Sequence, residues 1–561
     1  MALYNFWYLL FGKFGLNMVW VICGAITGCI VLLLSRCFDG GNLKPRDLSA
    51  VSYWIILYTL FFVFVFLLLY KIDRIPLPFH VDEAGMAYDA VSLSKYHRDR
   101  YLYKFPVYFI NYGGGQNALY TWLAALLVRI FNYSVISVRL PAIFLSLCSA
   151  VVFVLAIRTY YGNTQSVFAM IAYCFLPFSI MHSRWGLESY LLFPMLVISC
   201  CCFYHAVSKR KTFLFILSGI LFGVTFYSYA ISYVIVLLFL GITALYLLII
   251  KKINWKELFL LAFPVMILAV PLLMMLAVNN GLMDEVKTKF FSIPRLIFYR
   301  GSEFRVKNIV ENLRFGESNI LYRIFVRDGL IYNVIPAFGT VYYFNIPIIL
   351  YGFYLSVKRS IAAVKARQFS MDVMMFFLFI SIFPVLLFLP YANVNRACAL
   401  FIPLIYFLIQ GFCEVLKKSR TAALIYSGLF LLASLSFVCY YFADFPKDLS
   451  YELSVTSVYD LEEALDFAEK QISDDAPVTI YGLSNPYLYT ILVKHMDPYT
   501  FNEMKIMNES NVASVGRYQF EVKDVSPDRV YLVRTDGWVP EEIRQQDFNI
   551  KEFGTVTVYY P

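Results

Sequence analysis

Two adjacent carboxylates, Asp82 and Glu83, follow His80 shortly after an apolar run from Val51 to Tyr70. Acids at the end of a membrane-length segment are costly to hold near lipid, so they mark a site that uses them. A carboxylate there can ligate a divalent cation such as Mg or Mn, or take a proton from an acceptor hydroxyl; an adjacent pair can divide those tasks. The same pair also suits a solvated first turn of a helix near Ala84–Leu93, whose dipole favours negative charge. Both readings stand from spacing alone. His80 reads as a ligand beside Asp82 or as a hydrogen-bonded loop residue, and Asp89 as a solvated residue further along the helix.

Three more clusters carry usable chemistry. The turn Met181–Glu188 holds His182, Arg184 and Glu188. Arg184 and Glu188 have the spacing of a helical ion pair; if the turn lines a cavity, Glu188 becomes a second acid near Asp82 and Arg184 a partner for it or for an anion. Asn393, Asn395 and Arg396 precede a late apolar run. A guanidinium and two amides there suit a phosphate ester at the bilayer surface, assisted by the dipole of the following helix; alone, the arginine would read as snorkelling to headgroups. The run Asn111-Tyr112-Gly113-Gly114-Gly115-Gln116-Asn117 lacks dinucleotide spacing and a preceding strand. It predicts a tight turn, with Tyr112 beside any lipid-linked substrate that the glycines let approach. No GxSxG motif, Walker loop, zinc spacing or intramembrane chain of acids is present.

The elements that must position these residues are membrane spans. The chain is 60% hydrophobic, 19% aromatic and 15% charged, with a mean hydropathy of +0.66, more apolar surface than a water-soluble domain can bury. Apolar runs near 15–35, 51–70, 137–157, 165–181, 189–207, 212–229, 231–250, 258–278, 340–357, 371–390, 397–416 and 421–441 predict about twelve transmembrane helices. No small-residue cleavage site follows the first run, which is kept as a span. The net charge of +9 sits in short clusters between spans and not on one face, so it reports orientation and implies no nucleic-acid partner. Nearly all of the eleven cysteines lie in apolar runs, and the segments 71–135, 279–345 and 442–561 have none. That leaves no disulfide framework or CxxC metal site and favours a bacterial envelope protein.

Topology follows from the basic linkers: Arg36/Lys44/Arg46, Arg158, Lys209-Arg210-Lys211, Lys251-Lys252, Lys358 to Arg367, and Lys417 to Arg420. The positive-inside rule puts all of them in the cytoplasm. This holds only if Ala118–Phe131 does not cross, so that run is read as a re-entrant or interface-lying helix, with Tyr120 and Trp122 at headgroup level. The outer loops 71–135 and 279–345, the turns 181–188 and 391–396, and the tail 442–561 then share one outer face. The tail reads as a small α/β domain, with helices over Asp460–Gln471 and Tyr487–His495 and strands at 478–481 and 530–533.

With these residues in place, the sequence resembles the GT-C glycosyltransferases, specifically the bacterial type within the protein mannosyltransferase and aminoarabinose transferase group (glycosyltransferase family 39-like). The resemblance rests on Asp82-Glu83 in the first outer loop, Val138-Arg139-Leu140-Pro141, Arg158 to Gly162, Pro177 with Ser183 to Glu188, and Asn393-Val394-Asn395-Arg396 followed by Pro403. It covers roughly residues 70–440. It implies a transmembrane catalytic domain over 1–441, an extracytoplasmic domain over 442–561, and an inverting transferase in the cell membrane. The donor it implies is a polyprenyl-phosphate-linked sugar on the outer face; the acceptor is a cell-envelope glycan, lipid or protein. Asp82 would be the general base, Glu83 its neighbour, Glu188 the second acid, and Arg396 the phosphate ligand. Asn393, Asn395, Arg184, His80 and Tyr112 would bind substrate, and Asp82 with Glu83 would hold a divalent cation if one is used. Gly113–Tyr120 replaces the His-Pro-Pro-Leu-like stretch of the family, and Glu188 stands where an Asp is usual.

A transporter or flippase of lipid-linked sugars is the alternative; it predicts inverted repeats and mid-membrane polar residues. An O-antigen ligase-like protein would share the large outer loop without the early acidic pair. A membrane scaffold would leave the convergent acids and arginine unexplained.

Overall fold

The computed structural model describes residues 48–561, apart from 78, 112–113, 297–302, 454–455, 509–510 and 522–524. The expected span 15–35, the linker Arg36/Lys44/Arg46 and Tyr112 lie outside the described residues. Among those described, nine helices are long and apolar enough to cross a membrane. Asn163–Phe175 and Pro177–Arg184 pass the same test only together, bent by 57° at the break between them, and bring the number to ten when counted as one span. The break has a local cause: proline at the first turn of the second helix forces Leu176 into an extended conformation (ψ 145°). The expected span at 212–229 is a helix only over Thr212–Thr225, shorter than the roughly 20 residues that cross a hydrocarbon core. The chain is thus a polytopic helical membrane protein.

Burial ranks the helices. Trp255–Asn279 is only 22% buried, as a lipid-facing helix would be, whereas Val394–Lys418 is 89% buried and runs through the middle of the bundle. Its tightest crossing is with Asn345–Lys365, where a Cβ on Gly352 would lie 1.8 Å from the Phe407 carbonyl oxygen. A small residue there lets two backbones meet. Arg396 therefore stands at the head of the most enclosed helix.

Between the first spans, Tyr108–Asn111 and Gly114–Asn117 pair antiparallel, with Asn111 opposite Gly114. A short strand thus precedes the glycines, correcting the expectation of a lone turn with no strand before it. The helix Ala118–Phe131 follows. It exposes Trp122, Leu126, Ile130 and Phe131 on one side, as an interfacial helix would. Tyr120 corrects the expectation for it: the ring is fully buried and its hydroxyl donates to the Val138 carbonyl at 3.0 Å.

The tail forms a seven-stranded sheet. Its strand order is Asn549–Phe553, Val556–Tyr560, Val530–Arg534, Val478–Tyr481, Tyr518–Gln519, Asn511–Val515, Lys505–Asn508. Val478–Tyr481 is parallel to both of its neighbours, with Val478 opposite Val530; the remaining pairs are antiparallel. The expected helices appear as Val458–Ala468 and Pro486–Val493. The second packs against the helix that bears Asp82.

Candidate functional site

The helix Val81–Tyr96 opens on His80, whose Nδ1 accepts from the Asp82 N–H at 3.2 Å, while the Glu83 carboxylate accepts from the His80 N–H at 2.8 Å. Successive residues on a helix point about 100° apart, and the acidic pair divides accordingly. Glu83 turns inward and is fully buried. Its oxygens accept from Arg139 Nη2 and Nε at 2.8 Å and 3.0 Å, and from the Gly186 N–H. Arg139 spends its remaining donors on the carbonyls of Ile72, Pro76 and Leu77. Asp82 stays outward, its side chain 37% exposed and 3.6 Å from His80 Nδ1, with the Asn111 amide donating to it at 3.3 Å. The expectation of a shared catalytic or cation-holding pair is corrected here, because the oxygens of Glu83 are committed elsewhere. Among the described residues, no three His, Cys, Asp or Glu side chains gather to hold a metal.

Arg184 is a second correction. It is fully buried and donates to the carbonyls of Leu67 and Leu68, which the end of the helix Ala50–Leu69 leaves unpaired, and to those of Tyr70 and Ile75 in the turn that follows. It neither pairs with Glu188 nor faces an anion site. His182 is buried between the rings of Phe178 and Tyr190, at 4.0 Å and 3.6 Å. Asp89, expected in solvent, is buried against Arg100 at 2.6 Å.

The other wall comes from late in the chain. Asn393 caps the short helix Val394–Ala397 by accepting from the Arg396 N–H at 3.0 Å. Asp328 accepts from the N–H groups of Val394 (3.1 Å) and Leu330 (2.9 Å) and from the Asn333 amide (2.7 Å). Asn333 in turn accepts from the Tyr190 hydroxyl at 2.8 Å. Burial pushes the Asp328 carboxyl above its ordinary range. Two residues of the long loop, Asp328 and Asn333, thus tie together the turn after Glu188 and the head of the Arg396 helix.

Arg396 donates to the Pro390 carbonyl at 2.6 Å and meets Glu303 at 3.0 Å, their side chains 20% and 27% exposed. Both line a cavity of about 320 Å³ with Glu188, Tyr108, Tyr229 and Tyr233. Glu188 accepts there from the Asn117 N–H, and the Asn117 side chain accepts from the Tyr233 hydroxyl at 2.6 Å. Asp82 does not line this cavity. Near it is Tyr332, buried, its ring 4.8 Å from that of His80. Burial, with the charges of Asp82 and Asp328, raises the Tyr332 hydroxyl well above its usual range, while the Asn395 amide pulls it back. Asp82, Asn395 and the Arg396 cavity are therefore neighbours at one end of the bundle. Such a site offers a partly exposed carboxylate, a cavity-facing guanidinium and an aromatic lining. Glu303, Asp328 and Tyr332 were not signalled by spacing: they are isolated residues of a long loop, and only folding brings them here.

Residues 117–277 match the family described as dolichyl-phosphate-mannose-protein mannosyltransferase; the match includes Arg139 and Glu188 and stops short of Asp82 and Arg396. Two solved structures share the fold. ArnT from Cupriavidus metallidurans bound to undecaprenyl phosphate aligns at 12% identity and a TM-score of 0.51, over 91% of this chain and 98% of that one. The same protein in its apo state aligns at 13% identity and a TM-score of 0.51, over 91% and 98%. No curated protein sequence matches. The chain has the fold of the GT-C glycosyltransferases and resembles their protein mannosyltransferase and ArnT group.

Proposed function

We propose that this protein is a membrane glycosyltransferase that moves a sugar from a polyprenyl-phosphate-linked donor to an acceptor hydroxyl, with inversion. The observation that carries the reading is the gathering of Arg396 and Glu188 around one cavity, with Asp82 and Asn395 both acting on the nearby Tyr332 hydroxyl. Asp82 takes the acceptor proton as the acceptor oxygen bonds to the sugar's anomeric carbon. The bond from that carbon to the phosphate oxygen breaks, and the lipid phosphate leaves with its charge held by Arg396. Glu188 orients hydroxyls in the cavity. The undecaprenyl phosphate bound to the ArnT structure supports a lipid phosphate as the ligand of Arg396. Any Mg or Mn would rest on Asp82 and the donor phosphate, since Glu83 is committed to Arg139.

The basic linkers support a cell-membrane protein whose site and residues 442–561 face away from the cytoplasm. Cell-envelope glycans, lipids and proteins are the acceptor classes. The test is consumption of polyprenyl-phosphate sugars by the purified protein. Asp82→Asn should lose about 10²–10⁴-fold in turnover while still binding donor. Turnover that survives this substitution rejects the base. Transport without transfer by the wild type would favour a flippase.

A further inference from the structure

The helix that carries Asp82 is held from two sides. The membrane bundle grips its inner face through Glu83 and Arg139. The C-terminal region holds it elsewhere: the Tyr88 hydroxyl donates to the Met496 carbonyl at 2.8 Å, and beyond the helix end the Asn502 amide donates to the Arg100 carbonyl at 2.6 Å. A further bond reaches the end where the chemistry lies. The Tyr489 hydroxyl donates to the Phe79 carbonyl at 3.3 Å, across 410 positions of sequence.

Phe79 is an unusual residue to find at that point. Its φ is +63°, a left-handed conformation that bulky side chains rarely adopt and that persists only where the surroundings impose it. The ring is fully buried, with the Arg139 guanidinium 6.0 Å from its centre. This turn of the backbone delivers His80 to its capping position and so sets the direction of the first helical turn, Asp82 included. Tyr489 is fully buried as well. Burial, with the charges of Glu83 and Asp82, holds its hydroxyl well above the usual range, so it remains a donor.

We propose that Tyr489 is a positioning residue: the C-terminal region uses its hydroxyl to hold Phe79 left-handed and thereby aims Asp82 at the acceptor. The inference rests on Asp82 being the base. Removing the hydroxyl leaves a buried carbonyl unpaired and releases the turn, which moves the base without touching the donor site.

The experiment uses the full chain in lipid nanodiscs and compares Tyr489→Phe with Tyr88→Phe, which deletes a hydroxyl from the same interface two turns away. Tyr489→Phe is expected to speed amide exchange at residues 80–84 and to lower kcat about five-fold with donor KM unchanged, the effect of one lost hydrogen bond. Tyr88→Phe is expected to leave both at wild-type values. Wild-type exchange at 80–84 in Tyr489→Phe overturns the proposal. So does a kcat loss shared by both variants with an equal fall in thermal midpoint, which would make the interface merely structural. Asp82→Asn assayed alongside separates the two ideas: if it is fully active, the base assignment fails, while the exchange data still decide whether Tyr489 sets the turn.

Discussion

The pairs Arg139–Glu83 and Arg396–Glu303 are alike in chemistry and separation, 2.8 Å and 3.0 Å. Their surroundings are opposite. In the first, both side chains are wholly buried, and every donor of Arg139 meets a carboxylate or a carbonyl. In the second, both side chains face a cavity and keep contact with solvent. A buried pair has nowhere to go, because separating it strands a charge in low dielectric. A cavity-facing pair is exchangeable, because water or another anion can take either partner's place. The same two residue types thus build the frame in one place and the wall of a cavity in the other.

The sharpest way to break the comparison is to remove one arginine from each pair. Arg139→Ala leaves Glu83 buried and unpaired, and a loss of about 3–5 kcal/mol in stability is expected, read as a fall in the thermal midpoint. Arg396→Ala should instead raise the donor KM about 10–100-fold with a much smaller midpoint change. Arg184→Ala belongs with the first class, since the carbonyls it serves at the end of Ala50–Leu69 lose their donors. Its folded fraction should keep the wild-type donor KM. Equal donor KM changes in Arg396→Ala and Arg184→Ala would remove the phosphate role from Arg396.

That contrast also marks what was legible from the sequence. Apolar run length located most of the long helices from 51 to 441, though the run at 212–229 holds only the short helix Thr212–Thr225. The division of Asp82 from Glu83 was available in principle, since neighbours on a helix face different ways. Arg184 was not legible, because its partners are backbone carbonyls more than 100 positions away, and a carbonyl carries no residue-type signal. Asp89 lies two turns from Asp82 on the same face of the helix, yet it is buried, because Arg100 folds back onto it and the tail residue Asn502 covers that turn.

Beside that covered turn, Asp99 offers a third setting: buried, with Arg100 and Lys505 acting on it only through space. Burial, aided by the negative charge of Asp89, pushes its carboxyl up to about 8 against the N–H bonds from Tyr103 and Tyr101 that favour the ionised form. The folded pKa lies above the unfolded value of about 3.9, so the native state binds the extra proton. Stability should fall as pH rises from about 4 to about 8 and level off above. Asp99→Asn removes this contribution, so its thermal midpoint should decline less between pH 5 and 8. Parallel curves for mutant and wild type would show that Asp99 is ionised in the fold.

The smallest effect tests exchangeability directly. If a donor phosphate takes the place of Glu303 on Arg396, the carboxylate opposes binding twice: it must leave the guanidinium, and it then faces the phosphate as a like charge. Glu303→Gln keeps a hydrogen-bonding oxygen and removes the charge, so the donor KM should fall, by up to about five-fold given the small worth of a solvent-accessible pair. The gain should shrink as salt screens the cavity mouth. A donor KM that rises would mean that the carboxylate grips the donor itself, and Glu303 would then be a fixed ligand of the site and not a place-holder for the phosphate.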